Sequence, residues 1–154
     1  MPNFEIEKKF LIKKIPENIT SYSYHIIEQG YLCTNPVVRI RKQDYEYYLT
    51  YKGKGMMIRE EYNLPLTKDA YEHLLEKVDG NIISKIRYLI PLPDDLTVEL
   101  DLFKSPNPNL ILAEVEFPSE EAADSFQPPS WFGEEVTKDS KYHNSNMSKA
   151  TTLE

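Results

Sequence analysis

"FEIEKKFLI", residues 4–12, alternates with a period of two. Phe4, Ile6, Phe10 and Ile12 fall on one side, and Glu5, Glu7 and Lys9 on the other, with Leu11 at the end. Successive side chains of a strand point to opposite faces, so this stretch reads as a β-strand with an apolar face and a charged one. A charged face turned to water is ordinary. The same face turned into a closed sheet is a binding site, and both fold and function depend on which arrangement holds.

The pattern recurs along the chain. Strands are predicted at 24–33 ("YHIIEQGYLC"), 37–43 ("VVRIRKQ"), 45–52 ("YEYYLTYK") and 57–64 ("MIREEYNL"), with "GKG" at 53–55 as a turn. Three more fit 82–91, 97–103 and 110–117, separated by the turn-rich "PLPDD" and "KSPNPN". Turn and short-helix signals fill "PENITSYS". Thr67 caps a helix expected to run through Asp79, with Tyr71, Leu74, Leu75 and Val78 in one stripe and Gly80 as its stop. A second helix starts after Ser119, its acids in the first turn as the helix dipole favours. The stretch from "PPSWFGEEV" onward reads as irregular and then helical. The tyrosine-rich strand reads as lying under a helix, and Trp131 as a packing residue. Eight strands joined mostly by short turns imply a mainly β (α+β) fold: an eight-stranded antiparallel sheet closed into a barrel, with a few flanking helices and a single domain over 1–154. A barrel of that size has room for side chains or one small ligand.

Composition narrows the function classes. The 154 residues carry a formal net charge of −7, which disfavours non-specific binding to nucleic acid or an anionic membrane. No apolar run approaches the roughly 18–20 residues needed to cross a bilayer. No signal peptide is visible at the N-terminus, and the one cysteine, Cys33, forms neither an internal disulfide nor a thiolate metal cluster. A cytoplasmic location is therefore expected. His25, His73 and His143 share no ligand spacing and read as surface or structural residues.

Charge concentrates on one face of nearly every strand. Arg39 pairs with Arg41 at i, i+2, Lys85 with Arg87, Glu99 with Asp101, Glu114 with Glu116, and Arg59 with Glu61. For a single strand a solvated face accounts for this. Across seven strands, repeated like-charge pairs call for something of opposite charge among them, because carboxylates about 7 Å apart raise each other's pKa and oppose folding. Lys9, Arg39, Arg41, Lys52, Lys85 and Arg87 have the chemistry to clamp a polyanion, arginine through a planar fork and lysine as a point charge. Glu5, Glu7, Glu61, Glu99, Asp101, Glu114 and Glu116 have the chemistry to hold a hard divalent cation, Mg²⁺ or Mn²⁺, which bridges to phosphate. Acid, base and metal together describe polyphosphate chemistry.

"EIEKKF" matches the Glu-x-Glu-x-Lys signature at Glu5, Glu7 and Lys9, and the chain resembles the CYTH superfamily of triphosphate tunnel metalloenzymes. "EQGYL", "VRIR", "LTYKG", "SKIRY", "VELDLF", "LAEVEFPSEEAA" and "WFGEEVTKDSKYHN" follow in order and are most similar to the short bacterial inorganic triphosphatases. The resemblance implies that Lys9, Arg39, Arg41, Lys52, Lys85 and Arg87 grip a triphosphate and that Glu5, Glu7, Glu61, Glu114 and Glu116 organise one or two Mg²⁺ or Mn²⁺ ions. Glu99 and Asp101 would bind cations or orient the basic residues. Tyr31 and Lys85 would favour inorganic triphosphate, and Lys85, Glu5 and Glu7 would form the catalytic group, with Lys85 placing the attacking water. Asn63 stands where the family carries a further acid. The implied reaction is hydrolysis of triphosphate to pyrophosphate and phosphate. A class IV-type adenylyl cyclase, a thiamine triphosphatase and a non-catalytic polyphosphate-binding module remain open alternatives, as does a homodimer.

Overall fold

Period-two alternation is realised as a barrel that is charged inside and apolar outside. The computed structural model describes residues 4–149. Its strands are β1 (Phe4–Ile12), β2 (Ser23–Thr34), β3 (Val37–Gln43), β4 (Glu46–Lys52), β5 (Ile58–Pro65), β6 (Asp79–Pro91), β7 (Thr97–Ser105), β8 (Ile111–Glu116) and β9 (Phe132–Glu135). All neighbours are antiparallel in the order β5-β4-β3-β2-β6-β7-β8-β1, and β1 closes the ring onto β5 through Phe4, Glu5 and Ile6 against Glu60, Arg59 and Ile58. The eight-stranded closed barrel expected from the sequence is therefore present. Two register shifts flank Tyr31 in β2; such bulges sharpen the local bend that a closing sheet needs.

Cladding covers two parts of the outer wall. Helix α1 (Lys68–Leu75) packs over β3 and β4, where the Tyr71 and Tyr47 rings lie 5.2 Å apart, as the tyrosine-rich strand foretold. Its first turn is capped by Thr67, whose hydroxyl accepts from the Ala70 amide at 3.1 Å. Helix α2 (Glu120–Asp124), capped by Ser119, covers β1, β7 and β8, and outward-facing Lys8 donates to the Ala123 carbonyl at its C-terminal end. Beneath it Phe10, Val98, Leu100, Ala113, Val115 and Phe132 form the main core, with Trp131 packed at its margin. A second apolar cluster lies inside the barrel, where Tyr31, Val37, Ile83, Phe103, Leu112 and Met147 block one end.

Two expectations need correction. The first helix stops at Leu75, not at Asp79, because Asp79 must extend to pair with Tyr31 and open β6. Gly80 accordingly belongs to the strand: its φ of +69° lets the chain pass where the Ser148 carbonyl occupies the position of a Cβ. The stretch after residue 131 is not merely irregular before its short helix. Phe132–Glu135 adds β9 to β1, and the chain then crosses the blocked end through a 3₁₀ turn (Ser140–Tyr142) and α3 (Asn144–Met147). Among the described residues, no helix is long and apolar enough to cross a membrane.

Because apolar packing sits on the outer wall, Leu100→Ala is expected to lower unfolding stability by about 2–5 kcal/mol in denaturant titration, the range for a truncated, fully buried leucine.

Candidate active site

The inward positions of β1 to β8 enclose a cavity of about 720 Å³, including its open mouth. Register brings the charges together. Arg39 on β3 lies opposite Thr50 on β4, Lys52 opposite Glu61 on β5, Arg87 on β6 opposite Asp101 on β7, Glu99 opposite Glu114 on β8, and Lys9 on β1 opposite Glu114. Twelve of the fourteen residues singled out from the sequence line this cavity; Asp101 and Glu116 do not. Asp101 is fully buried and turned to Arg87 and Lys85, whereas Glu116, opposite Glu7 at the end of β8, is partly open to solvent beside Glu99.

The cations divide into two groups by their partners. Lys52 reaches Glu5 at 2.8 Å and Glu61 at 3.4 Å, Lys85 reaches Asp101 at 2.8 Å, and Lys9 reaches Glu114 at 3.7 Å. Arg87 grips Asp101 with two nitrogens (2.7 and 2.9 Å) and also contacts Glu114 at 2.9 Å and Glu99 at 3.3 Å. Among the described residues, Arg39, Arg41 and Arg59 have no carboxylate oxygen within 4.0 Å. Their contacts are neutral: Thr50 for Arg39 at 3.1 Å, Gln29 for Arg41 at 2.9 Å and the Gly53 carbonyl for Arg59 at 3.2 Å. The Arg39 Nε is buried without an acceptor.

Uncompensated charge also shows in the titration of these groups. Burial, then the neighbouring Arg39 and Arg87, pull Arg41 down to about 9. Burial within the barrel, then the facing Glu114 carboxylate, hold Glu7 well above the usual carboxylate range, and burial likewise raises Glu5. Glu116 is pushed up to about 7 by burial and by Glu5, Glu61 and Glu99. Glu114 goes the other way: Lys9, Arg87 and Lys85 hold it well below its ordinary value against the effect of burial. Among the described residues, the cavity thus keeps Arg39 and Arg41 on β3 without a carboxylate partner and Glu7 on β1 without a cation partner.

Asn63 is placed by its amide. Its oxygen accepts from the Thr50 hydroxyl at 2.6 Å and its nitrogen donates to Glu61 at 3.3 Å. A carboxylate at this position would meet Glu61 with like charge, whereas the amide joins the acid to the Thr50–Arg39 pair.

Several lining residues escaped the sequence reading. Arg59 shares a strand face with Glu61 by its i, i+2 spacing, which places it on the inner wall although no role follows from the sequence. Thr137, His143, Asn144 and Ser145 come from the stretch beyond β9. His143 is not a surface residue: it is half-buried, with Nε2 3.2 Å from the Thr137 carbonyl, and burial and Lys9 lower its pKa. No periodicity marks these residues, since a single turn has too few positions to show one.

A family model described as the CYTH domain matches residues 3–153. The chain belongs to the CYTH domain family. Its relatives include the inorganic triphosphatase of Nitrosomonas europaea, 41% identical over 145 residues that span 91% of this chain and 93% of that protein. The inorganic triphosphatase of Acetivibrio thermocellus is 35% identical over 157 residues, covering 94% and 93% respectively. A crystal structure of an inorganic triphosphatase superposes with a TM-score of 0.69 at 38% identity, covering 97% of each chain. CYTH membership agrees with the eight-stranded barrel.

Raised carboxylates stabilise the fold in their protonated form. The contribution of Glu5, Glu7 and Glu116 is therefore complete below the ordinary carboxylate range, about pH 4.5, and is lost as pH climbs through their raised folded values, about 7 for Glu116. Glu114 and Asp101, held low, act oppositely and lose their contribution only below the ordinary carboxylate range. The thermal midpoint of the ligand-free protein is expected to fall between pH 5 and 7.5, and Glu7→Gln to flatten that fall.

Proposed function

We propose that this CYTH protein hydrolyses inorganic triphosphate to pyrophosphate and phosphate in the barrel cavity. The observation that carries the reading is the segregated charge: among the described residues, Arg39, Arg41 and Arg59 have no carboxylate partner and Glu7 has no cation partner. A linear polyanion satisfies the first group, and its close relatives carry the name inorganic triphosphatase.

The acidic wall fits a hard divalent cation such as Mg²⁺ or Mn²⁺. Glu5, Glu7, Glu61 and Glu114 supply oxygen donors only, and burial followed by repulsion from Glu114 holds Glu7 well above the usual carboxylate range, a repulsion that a bound dication would relieve. Among the described residues no three carboxylates already form a closed cage, so substrate oxygens would complete the set. With a divalent ion held by Glu5, Glu7, Glu61 and Glu114, the site would gain charge neutralisation at the phosphate oxygens and a lower pKa for an attacking water. Glu99 stays with Arg87, and Asp101 and Glu116 are assigned away from the ion, the first as an anchor for Arg87 and Lys85 and the second as a charge partly open to solvent.

The chain's own residues do the rest. Arg39 and Arg41 meet the phosphate oxygens as planar forks and hold the chain in line. Lys9, Lys52 and Arg87 lie between acids and cavity, balanced against both. Lys85 is assigned to the reacting end, where it orients the attacking water or the terminal phosphoryl oxygens. Charge that develops on the transferred group and on the departing pyrophosphate falls among fixed cations in a site largely shut off from bulk water, which is where such contacts are worth most. Tyr31, buried at the blocked end, closes the cavity behind the substrate.

A cyclase would have to seat a purine and a ribose as well as phosphates, and this lining offers charge in most directions and little ring surface. The deciding measurement is a panel of inorganic triphosphate, ATP and thiamine triphosphate with Mg²⁺, with Mn²⁺ and with chelator, scoring phosphate and cyclic AMP. Metal-dependent phosphate release from inorganic triphosphate is expected. Cyclic AMP from ATP, or triphosphate binding without turnover under either metal, would sink the proposal. Arg39→Ala is expected to lower kcat/KM by roughly 10²-fold, as for removal of one transition-state charge contact. Its thermal midpoint without ligand should hold or rise, since Arg41 is relieved of a like charge.

A further inference from the structure

Lys85 is fully buried, and three features surround its ammonium: Asp101 Oδ2 at 2.8 Å, Asn144 Oδ1 at 3.0 Å and the Phe103 ring with its centroid at 5.1 Å. An ammonium has three N–H donors at fixed angles. Two are directed to Asp101 and Asn144, and Lys85 itself lines the cavity. The Asn144 oxygen does more than hold Lys85. It also accepts from Gln29 Nε2 at 3.0 Å, and the other end of that amide, Gln29 Oε1, accepts from Arg41 Nε at 2.9 Å. Gln29 is itself fully buried. With Nε engaged from behind, the two terminal nitrogens of Arg41 are free to meet the cavity. Two neutral amides therefore link the rear of one phosphate-facing cation to the rear of another. Neutral acceptors hold both cations without adding a negative charge of their own.

Asn144 arrives there because α3 is pinned on its far side. Met147, one turn on, is buried in the apolar cluster that blocks the barrel, and Ser148 packs against the start of β6. A four-residue helix has little stability by itself, so the amide bridge and Met147 fix it together.

We propose that Asn144 is a positioning residue for the triphosphatase reaction, acting with Gln29 as an amide bridge that fixes the orientation of Lys85 and Arg41. The inference rests on the proposed triphosphatase activity. It predicts that the bridge functions as one unit, so that losing either amide loses most of the effect. The test is a cycle of Asn144→Ala, Gln29→Ala and the double variant, each assayed for kcat and KM with inorganic triphosphate. Asn144→Ala is expected to lower kcat/KM by about 10–100-fold, with Gln29→Ala similar and the double variant little worse than either, the non-additivity of contacting residues. Asn144→Asp keeps an acceptor for both Lys85 and Gln29 but places a negative charge beside the substrate; it should retain the thermal midpoint and raise KM. A second readout does not depend on turnover: the Lys85 ammonium, followed by ¹⁵N NMR, should exchange its protons faster in Asn144→Ala than in the parent protein.

Parent-level kinetics in a folded Asn144→Ala protein, or fully additive losses in the double variant, would overturn the bridge while leaving the activity standing. So would an Asn144→Asp protein with unchanged KM, since a residue that only anchors α3 tolerates that change. If the parent protein itself releases no phosphate from triphosphate, the functional proposal fails instead, and unchanged Lys85 exchange in Asn144→Ala then tells separately against the bridge.

Discussion

Arg87 sits on β6 with Asp101 across two of its nitrogens, Glu99 beside it on the same strand β7, and Glu114 on β8 beyond. Taking an ion out of water costs several kcal/mol even after relaxation, and an unpaired partner left behind is strongly destabilising. One guanidinium that meets three carboxylates therefore decides whether β7 and β8 can turn their acids inward at all. From it the pairing spreads around the ring: Asp101 also holds Lys85, and Glu114 also meets Lys9. On the far side Lys52 bridges Glu5 and Glu61, across the seam where β1 closes onto β5. The network stops short of β3. Arg39 and Arg41 are left with neutral neighbours, so the cavity keeps a surplus of positive charge at one place and of negative charge at another. That imbalance in the empty barrel is what suits it to a polyanion accompanied by a cation.

The alternation in "FEIEKKFLI" and its counterparts was enough to read the barrel, because the same period sets both strand geometry and face. It was enough, too, to gather Glu5, Glu7, Lys9, Arg39, Arg41, Lys52, Lys85 and Arg87 on one surface, since closure turns every charged face the same way. Depth along the barrel was not legible. Asp101 and Glu116 have the same parity as their neighbours, but register carries one under Arg87 and the other opposite Glu7 at the end of β8, and register is fixed by pairing with strands distant in sequence.

Short elements were illegible for another reason. Four residues of β9 give only two periods of alternation and four of α3 little more than one turn, so His143 and Asn144 carried no mark of their position. The overlong first helix failed in a related way. Asp79 and Gly80 read as a helix end by local chemistry, but the ladder between β6 and β2 claims them, and tertiary pairing outweighs a weak local preference. Asn63 was recognisable as a missing acid. Its hydrogen bonds to Thr50 and Glu61, which give the amide a use, lie on partners that only the folded sheet supplies.

A barrel charged within and apolar without divides its labour by parity. In β7 Val98, Leu100 and Leu102 face outward toward the helical cladding, while Glu99, Asp101 and Phe103 between them face the lumen. Neighbours in sequence thus answer to different selective demands. Outward residues are constrained by shape, and inward ones by charge balance with partners on other strands. Such a scaffold can exchange one set of lumen charges for another, and with it the anion received, while the wall that keeps it folded stays as it is. The limit on that drift is pairwise: an acid like Asp101 can change only together with the cations that lean on it.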